Sequence, residues 1–379
     1  MRERVAILTT GRQDYGILRS TVHALVDDPG IDLRLWVGGM HLSERYGMTV
    51  RLVEEDGAPI HQRLPFLGAD PASDAAGALM STARALAEER PAALVLVGDR
   101  TETLAAGMAA VLAQVPIVHL HGGEETEGAV DNAFRHALTK LSALHLVSHA
   151  DHAARVIQMG EDPASVVVVG APGLDNVYRS DLPDRAALER SVGIVLESPV
   201  ALVTVHPTTL ADDPLAECRA VAGALDQVSC TVVITQPNAD GGGDAIRDFW
   251  ARWATRRPRT VVVDALGELR YWAMLRVVDV VVGNSSSGIL EAPAAGVPSV
   301  NVGDRQAGRL RASSTLDVPA VADQVAIALR SALTAEARAD AVAMGGPYLP
   351  GPAAPRVVAA LRAWLPSRSV RKPFRSVPT

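Results

Sequence analysis

Cysteines and long apolar runs are scarce in this sequence, and both shortages narrow the class of protein. The 379 residues include 2 cysteines, Cys218 and Cys230, in neither a C-x-x-C nor a metal-ligand spacing. We expect buried thiols in a reducing compartment and no disulfide framework. No apolar run reaches the roughly 18–20 residues that a membrane-spanning helix requires. The N-terminus leads from Arg2 and Arg4 straight into a short strand without a secretory signal, so a cytoplasmic protein with no membrane partner is expected.

A positive net charge is also missing. Acidic residues outnumber basic ones by 43 to 36, which gives a formal net charge of −7 and argues against a nucleic-acid partner. The exception is the basic stretch from Arg368 to Arg375, which we expect to be a solvated end. With 48% hydrophobic and 21% charged residues, the chain has the composition of a globular protein, and its length favours two domains.

Short β-branched runs alternate with helical stretches along the chain, and this alternation is typical of parallel α/β domains. We expect a first domain over residues 1–180, a second over 181–350, and a terminal segment, 351–379, whose helix in such folds commonly crosses back to the first domain. An amphipathic helix is expected over 318–333. The strands are expected at 5–8, 33–37, 94–97, 116–120, 144–148 and 166–169, then at 200–205, 231–235, 260–263, 277–282 and 299–302.

Charged residues follow two strands of the first half, at the sheet edge where ligands bind in parallel α/β folds. Arg12 and Asp14 lie in a turn that is expected to precede a helix over 17–26. Asp99 and Arg100 come directly after the strand at the middle of this half. An aspartate in this place, beside an arginine, is either a helix cap or a catalytic group, whereas Arg12 and Asp14 alone are more typical of a loop ion pair.

The densest group of ionisable side chains follows the strand at 116–120. Histidine and carboxylate clusters can bind a metal, but Gly122-Gly123 and the absence of a helical H-x-x-x-H pair argue against a metal here. General acid–base chemistry is the alternative for such a cluster. The cluster comprises His119, His121, Glu124, Glu125, Glu127 and Asp131, followed by Asn132, Arg135 and His136.

Two further turns in the second half carry side chains suited to a ligand site. His206-Pro207 closes the strand at 200–205, and Gln236 to Asp240, which includes Asn238, closes the next strand. A histidine such as His206 is more often a plain loop residue. Its place at the carboxyl end of a parallel strand nevertheless favours a role in a site.

The stretch from Val277 to Arg311 predicts an anion site. A β-branched run ends at Gly283, the turn Asn284-Ser285-Ser286-Ser287-Gly288 follows, and a helix is expected to begin at Ile289. Free backbone N–H groups, hydroxyl donors and the positive end of a helix would then converge. Glu291 could accept hydrogen bonds from a ribose diol, and Arg305 offers a bidentate fork for a diphosphate. The alternative is that Ser285 merely caps the helix.

These motifs together resemble the UDP-N-acetylglucosamine 2-epimerases, especially the hydrolysing branch that feeds sialic-acid-type pathways. The resemblance rests on R-x-D-Y-G, V-G-D-R-x-E, H-G-G-E-x-T-E-G-A-V-D, G-N-S-S-S-G-I-L-E-A-P and N-V-G-D-R-Q-A-G-R, and spans roughly Val5 to Leu365. It implies two doubly wound Rossmann-like α/β domains facing each other across a cleft, the glycosyltransferase-B-like arrangement. It also implies a UDP-sugar substrate, no cofactor or metal, and a homo-oligomer.

The resemblance further implies a reaction and a set of residues. UDP is eliminated from UDP-N-acetylglucosamine, or from a related UDP-2-acetamido sugar, and water then adds to give the free 2-epimer. The implied catalytic residues are Asp99, His121, Glu124, Asp131 and His206; the implied substrate-binding residues are Arg12, Asp14, Arg100, Asn238, Ser285, Ser286, Ser287, Glu291 and Arg305.

The sequence departs from the family pattern at two positions. Non-hydrolysing relatives carry a carboxylate near His121, and many family members carry a second acid where Asn132 stands. Which side chain is the acid and which the base therefore stays open among Asp99, His121, Glu124 and Asp131. The alternatives are a non-hydrolysing 2-epimerase, a glycosyltransferase and an inactive nucleotide-sugar binder. The G-D-R and H-G-G-E-x-T-E-G stretches resemble the hydrolysing branch rather than the non-hydrolysing one. The absence of an acceptor signature argues against a glycosyltransferase, and the presence of Asp99 and Asp131 argues against an inactive binder.

Overall fold

A computed structural model describes residues 2–125, 131–208, 213–237, 243–373 and 375–376. The chain divides into two compact units, the first made of Met1–Asp175 and Tyr348–Thr379, the second of Asn176–Pro347. Each unit contains one sheet with helices between its strands, so the predicted α/β class is confirmed. Within the described residues, every helix is too short or too polar to cross a bilayer.

The sheet of the first unit has 7 strands in the order β3-β2-β1-β4-β5-β6-β7. On β1, Val5 and Ile7 belong to one apolar cluster while Ala6 and Leu8 belong to another. Apolar side chains on both faces are what a parallel sheet covered by helices requires. The strands are β1 (Glu3–Thr9), β2 (Ile31–Gly38), β3 (Ile60–Leu64), β4 (Ala93–Val97), β5 (Ile117–Leu120), β6 (Leu144–Val147) and β7 (Val166–Val168).

The strand order places β1 beside both β2 and β4, so the direction of winding reverses between β1 and β4. Ligands in doubly wound sheets bind at the carboxyl ends of the strands that flank such a reversal. In the part of the first unit that precedes the second unit in the chain, the helices are α1 (Arg12–Asp27), α2 (Val50–Glu55), α3 (Pro71–Glu89), α4 (Thr101–Leu112), α5 (Asp131–Leu141) and α6 (Ala150–Gln158).

Helix α1 begins earlier than the sequence predicts. It starts at Arg12 rather than at residue 17, so Arg12 and Asp14 lie in its first turn and not in a loop. The buried Asp14 carboxylate accepts hydrogen bonds from the Thr10 backbone N–H at 3.1 Å and from the Thr10 hydroxyl at 2.6 Å. An acidic side chain in the first turn that reaches back to an unpaired N–H stabilises a helix start, and this interaction is what the prediction overlooked.

The second unit has a sheet of 6 strands in the order β10-β9-β8-β11-β12-β13. Strand β13 was not predicted, and Val318 belongs to it rather than to the expected helix over 318–333. A strand of four residues with exposed Asp317 leaves almost no periodic signal. The strands are β8 (Val200–Thr204), β9 (Thr231–Thr235), β10 (Thr260–Val263), β11 (Val280–Gly283), β12 (Ser299–Val302) and β13 (Thr315–Val318).

The helix expected to begin at Ile289, after the serine turn of the second unit, begins at Glu291 and is a single turn long. Ser286–Gly288 form a single 3₁₀ turn, and α11 covers only Glu291–Ala294. Pro293 and Gly296, which has φ of +66°, explain the early end. The second unit's helices are α7 (Arg185–Val192), α8 (Ala216–Leu225), α9 (Gly243–Ala254), α10 (Gly267–Leu275), α11 (Glu291–Ala294), α12 (Ala322–Ala332) and α13 (Ala335–Met344). Cys218 and Cys230 are free and buried, as predicted.

The last helix, α14 (Ala354–Trp364), packs Val357 and Leu361 into the apolar core of the first unit. The Asp175 carboxylate accepts hydrogen bonds from the N–H groups of Ala353 and Ala354, at 2.7 and 2.8 Å, and so caps the start of this helix.

The prediction of a solvated basic tail is wrong at Lys372. Its ammonium group donates to the carbonyl oxygens of Thr139, Lys140 and Ser142 at 2.7–2.9 Å. It also pairs with the buried Glu161 carboxylate at 2.5 Å. The carbonyls at a helix C-terminus lack intrahelical partners and attract a cation, which is why this lysine docks at the end of α5.

Candidate active site

Arg135 connects three segments at the carboxyl edge of the first sheet. Its guanidinium forms an ion pair with Asp99, which follows β4. The same group donates to the Glu124 carbonyl oxygen at 2.8 Å and to the Asn132 side-chain oxygen at 2.9 Å. The end of β4, the turn after β5 and the start of α5 are therefore fixed by one buried arginine, which the sequence analysis did not place in the site.

His121 and Glu124 form a close pair in the turn after β5. The His121 Nδ1 atom lies 2.6 Å from the Glu124 Oε1 atom, and the Ser148 hydroxyl donates to the same oxygen at 2.7 Å. His121 has φ of +64°, a left-handed conformation that side chains other than glycine rarely adopt and that often occurs at functional sites. Its Nε2 atom is buried without a hydrogen-bond partner in the described part of the chain. The imidazole therefore has one nitrogen committed to a carboxylate and one available to a ligand.

Glu124 and Asp99 have pKa values that shift in opposite directions. Burial alone would raise the pKa of Glu124, but the charge and hydrogen bond of His121, with the Ser148 hydroxyl, outweigh it and hold that pKa well below its ordinary value. Burial raises the pKa of Asp99; Arg135 opposes the rise in part, and the carboxylates of Asp131 and Glu124 add to it. Near neutral pH, Glu124 is thus a fixed anion, while Asp99 is the carboxyl that binds a proton more readily.

The remaining members of the predicted cluster have separate environments. His119 is fully buried, with Nε2 at 2.9 Å from the Gly98 carbonyl oxygen, and burial lowers its pKa to about 3, so it is a neutral structural residue. Asp131 occupies the first turn of α5, near enough to Asp99 to affect its pKa. Glu127 lies outside the described residues. No group of three potential metal ligands occurs among the described residues.

The turn after β1 and the residue after Asp99 meet at the reversal of the sheet. Arg12 is exposed at the start of α1. Burial raises the pKa of Asp14, although the Thr10 hydroxyl and the Arg100 charge oppose the rise. Arg100 pairs with the buried Glu102 carboxylate at 2.7 Å. Asp14 and Arg100 are thus close enough for the charge of one to affect the pKa of the other, and their role in substrate binding stays a prediction.

Asn284 organises the predicted anion site of the second unit. Its side chain accepts from the His206 N–H at 2.7 Å and donates to the His206 carbonyl oxygen at 2.9 Å. Its own carbonyl oxygen accepts from Arg305 at 3.3 Å and from Gln306 at 2.9 Å. His206, Ser285 and Arg305 therefore lie at one sheet edge, held by a fully buried asparagine. The sequence analysis treated Asn284 as an ordinary turn residue, and its signal was its place directly after the glycine that ends β11.

The serine turn and Glu291 complete this edge. The Ser285 hydroxyl accepts from the Ser287 N–H at 3.4 Å and from the Ser287 hydroxyl at 3.1 Å, so Ser285 does cap the turn. The Glu291 Oε2 atom is buried without a partner in the described residues, and burial raises the pKa of Glu291. Burial also raises the pKa of Tyr271, and the Glu291 charge adds to the rise. Tyr271 was missed because it lies on α10, before the motif begins, and Asn238 lies outside the described residues.

A family model described as UDP-N-acetylglucosamine 2-epimerase matches residues 23–362. The chain belongs to this family. The predicted family is thereby confirmed, and the turns after β4, β5, β8, β11 and β12 all fall within the matched region of the 2-epimerase chain.

Two curated relatives of this 2-epimerase family member carry the word hydrolyzing in their names. The UDP-N,N'-diacetylbacillosamine 2-epimerase of Legionella pneumophila is 34% identical over 339 residues, covering 88% of this chain and 89% of that protein. The GDP/UDP-N,N'-diacetylbacillosamine 2-epimerase of Campylobacter jejuni is 30% identical over 324 residues, covering 83% and 84%. Among solved structures, the UDP-GlcNAc 2-epimerase of Neisseria meningitidis bound to UDP-GlcNAc has a TM-score of 0.79 at 15% identity, covering 95% of this chain and 100% of that one, which shows a shared fold.

Proposed function

We propose that this protein is a hydrolysing 2-epimerase that converts UDP-N-acetylglucosamine into UDP and N-acetylmannosamine. The observation that carries the proposal is the His121–Glu124 pair with Asp99 beside it, in a chain of the 2-epimerase family. The reaction needs a site that can remove one proton from carbon and deliver another. Two ionisable groups whose surroundings push their pKa values apart are suited to that task.

The first stage is an elimination. A base takes the proton from C2 of the sugar, the C1–O bond to UDP breaks with its electron pair, and a 1,2-unsaturated 2-acetamido sugar remains. In the second stage water adds at C1 and a proton is delivered to C2 on the opposite face, which gives the free 2-epimer. Because the C2 hydrogen is weakly acidic, the leaving UDP must be stabilised for the first stage to proceed.

We assign the base role to the His121 imidazole, acting through Nε2, and the acid role to Asp99. Glu124 holds the Nδ1 side of the imidazole and stabilises its positive charge after proton transfer, as a carboxylate does in other carboxylate–histidine pairs. The Arg135 charge lowers the pKa of Asp99, and the Asp131 charge raises it. Burial raises the pKa of Asp99, and this direction supports its assignment as the group that delivers the second proton.

We assign UDP binding to the second unit's strand ends. Arg305 and the Ser285–Ser287 turn supply donors for the diphosphate, and the unpartnered Glu291 oxygen supplies an acceptor for the ribose hydroxyls. The other residues proposed to contact substrate are Arg12, Asp14, Arg100, His206, Asn238 and Ser286. The resemblance to the family also supports a sialic-acid-type pathway, a cytoplasmic location and a homo-oligomer, which we include in the proposal.

A second substrate is favoured by the names of the two curated relatives. UDP-N,N'-diacetylbacillosamine carries the same 2-acetamido group and differs at C4 and C6, away from the proton transfer. Rates of UDP release from both UDP sugars, with identification of the sugar product by NMR, test the proposal. We expect turnover of UDP-N-acetylglucosamine and its loss in His121→Asn. Turnover of the diacetylated sugar alone would replace the substrate, and UDP binding without turnover of either would leave an inactive binder.

A further inference from the structure

The start of α6 packs directly against the turn that carries His121 and Glu124. Gly123 has φ of +76°, and a Cβ atom there would overlap the His152 carbonyl oxygen, so only glycine allows this approach. Arg155, also on α6, donates to the Gly123 carbonyl oxygen and pairs with Glu125 at 3.2 Å. The turn is therefore supported from one side by a rigid helix.

Two buried side chains at this junction form a hydrogen-bonded line to Glu124. Ser148, directly after β6, is 1% exposed, and His152, in the first turn of α6, is 7% exposed. The Ser148 hydroxyl donates to Glu124 Oε1 at 2.7 Å, and the same hydroxyl oxygen lies 2.8 Å from His152 Nδ1. None of the roles assigned above uses either residue.

The direction of these hydrogen bonds follows from the number of protons available. A serine hydroxyl has one proton, and here it is donated to Glu124. The Ser148 oxygen can then only accept from His152, so His152 carries a proton on Nδ1. The Glu124 oxygen accepts from Ser148 on one side and from His121 Nδ1 on the other. Every proton in the line points toward Glu124, which leaves His121 Nε2 without a proton.

We propose that Ser148 and His152 are positioning residues that fix the tautomer of His121 through Glu124. The proposal rests on the function assigned to His121 above. Among the described residues, the charged and titratable groups around Glu124 are His121 in its own turn, His152 beyond Ser148, Asp99 after β4 and Arg135 on α5. Around His152 they are Glu124, His121, Arg155 and His149. Loss of the serine hydroxyl removes one of the two donors that hold Glu124 Oε1 in place. The carboxylate is then directed less firmly at His121 Nδ1, so the Nδ1–H tautomer is less favoured.

The first test compares Ser148→Ala with Ser148→Thr, which keeps the hydroxyl. We expect Ser148→Ala to lower kcat by about tenfold with little change in KM. Tenfold is the lower end of the effect of residues that hydrogen-bond to the groups acting directly on the ligand. The acid limb of its kcat–pH profile should move to lower pH, because a less firmly held carboxylate stabilises the imidazolium of His121 less. Ser148→Thr should keep the native profile. Should the serine variants fail to fold, His152→Leu and His152→Asn form a second pair. We expect His152→Leu, which lacks a side-chain donor, to behave like Ser148→Ala, and His152→Asn, which keeps one, to behave like Ser148→Thr.

The second test needs no turnover. Nitrogen-15 NMR of the histidine-labelled protein, with His121 assigned from the His121→Asn variant, reports which ring nitrogen carries the proton. We expect Nδ1–H in the native protein and in Ser148→Thr, and a mixture of tautomers in Ser148→Ala. An unchanged tautomer and an unchanged pH profile in Ser148→Ala would overturn the inference. If the native enzyme turns over neither UDP sugar, the proposed function fails while the tautomer result still decides the hydrogen-bond line.

Discussion

At the scale of single residues, the site depends on a few side chains that each hold several partners. Arg135 connects three segments of the first unit, and Asn284 connects three segments of the second unit. The motifs predicted Asp99, His121, Glu124 and Arg305 because these residues follow strands. Ser148 was not predicted, and Arg135 and Asn284 were named without a role. Their importance comes from distant partners, which a single sequence does not display.

Arg305→Ala should weaken UDP binding by about 1.5–3 kcal/mol, the usual worth of a charge-assisted hydrogen bond. The reason is that Arg305, at the carboxyl edge of the second sheet, is the proposed donor to the diphosphate. Isothermal titration calorimetry with UDP measures the change, and Arg330→Ala, an arginine on α12, is the matched control. Equal UDP affinity in the two variants would remove Arg305 from the site.

Asp99→Asn should lower kcat by roughly a hundredfold or more, the scale of a general acid or base. Asparagine keeps the shape of the side chain but cannot deliver a proton, so UDP binding should persist. Asp131→Asn is expected to lose turnover to a similar degree. The fully exposed Asp244 provides the control substitution Asp244→Asn. Near-native turnover in either test variant would make that residue structural.

At the scale of elements, the strands of both sheets could be predicted because buried parallel strands are continuous β-branched runs. Strand β13 could not, because Thr315–Val318 contains an exposed aspartate and no continuous apolar run. The helix after the serine turn was expected, but its first residue, Glu291, was not. The early start of α1 depends on the hydrogen bond from the Thr10 N–H to the Asp14 carboxylate. The position of Lys372 depends on carbonyl oxygens that lie 230–233 residues earlier in the chain. Short elements and long-range polar contacts are thus where the sequence alone is insufficient.

Gly283→Ala should destabilise the second unit and disturb the serine turn. Gly283 has φ of +136°, and a Cβ atom there would overlap the Thr204 carbonyl oxygen of the neighbouring strand β8. We expect a loss of about 2–4 kcal/mol, the range for forced backbone strain and overpacking. In the control Gly288→Ala, the new Cβ atom would lie 3.7 Å from its nearest neighbour, Val281 Cγ1, which is ordinary contact. Urea unfolding that gives equal stabilities for both variants would contradict this reading.

At the scale of the whole molecule, the histidines are unevenly distributed. Of the 10 histidines, only His206 belongs to the second unit. Burial lowers the pKa of His41 to about 4 and that of His119 to about 3. A histidine with a lowered folded-state pKa stays neutral in the folded protein while the unfolded chain binds a proton. Its contribution to stability is therefore complete above about pH 6.5 and is lost as the pH falls toward the folded-state value.

The first unit should accordingly lose stability on mild acidification. For His41 alone the loss between pH 8 and pH 5 should be about 2 kcal/mol. Raised pKa values at Asp14 and Asp99 act in the opposite direction, so the comparison needs a single-site variant. His41→Gln should show a pH dependence that is shallower by that amount in urea unfolding at the two pH values. An identical slope in variant and native protein would show that His41 titrates alike in the folded and unfolded states.

The most direct test of the whole account follows the fate of the C2 hydrogen. The protein is incubated with UDP-N-acetylglucosamine in deuterated water, and the products are followed by NMR. Elimination followed by hydration requires that the new C2 hydrogen come from solvent, so the account predicts free UDP and N-acetylmannosamine that carries deuterium at C2. Release of N-acetylglucosamine without deuterium, or formation of UDP-N-acetylmannosamine, would contradict it.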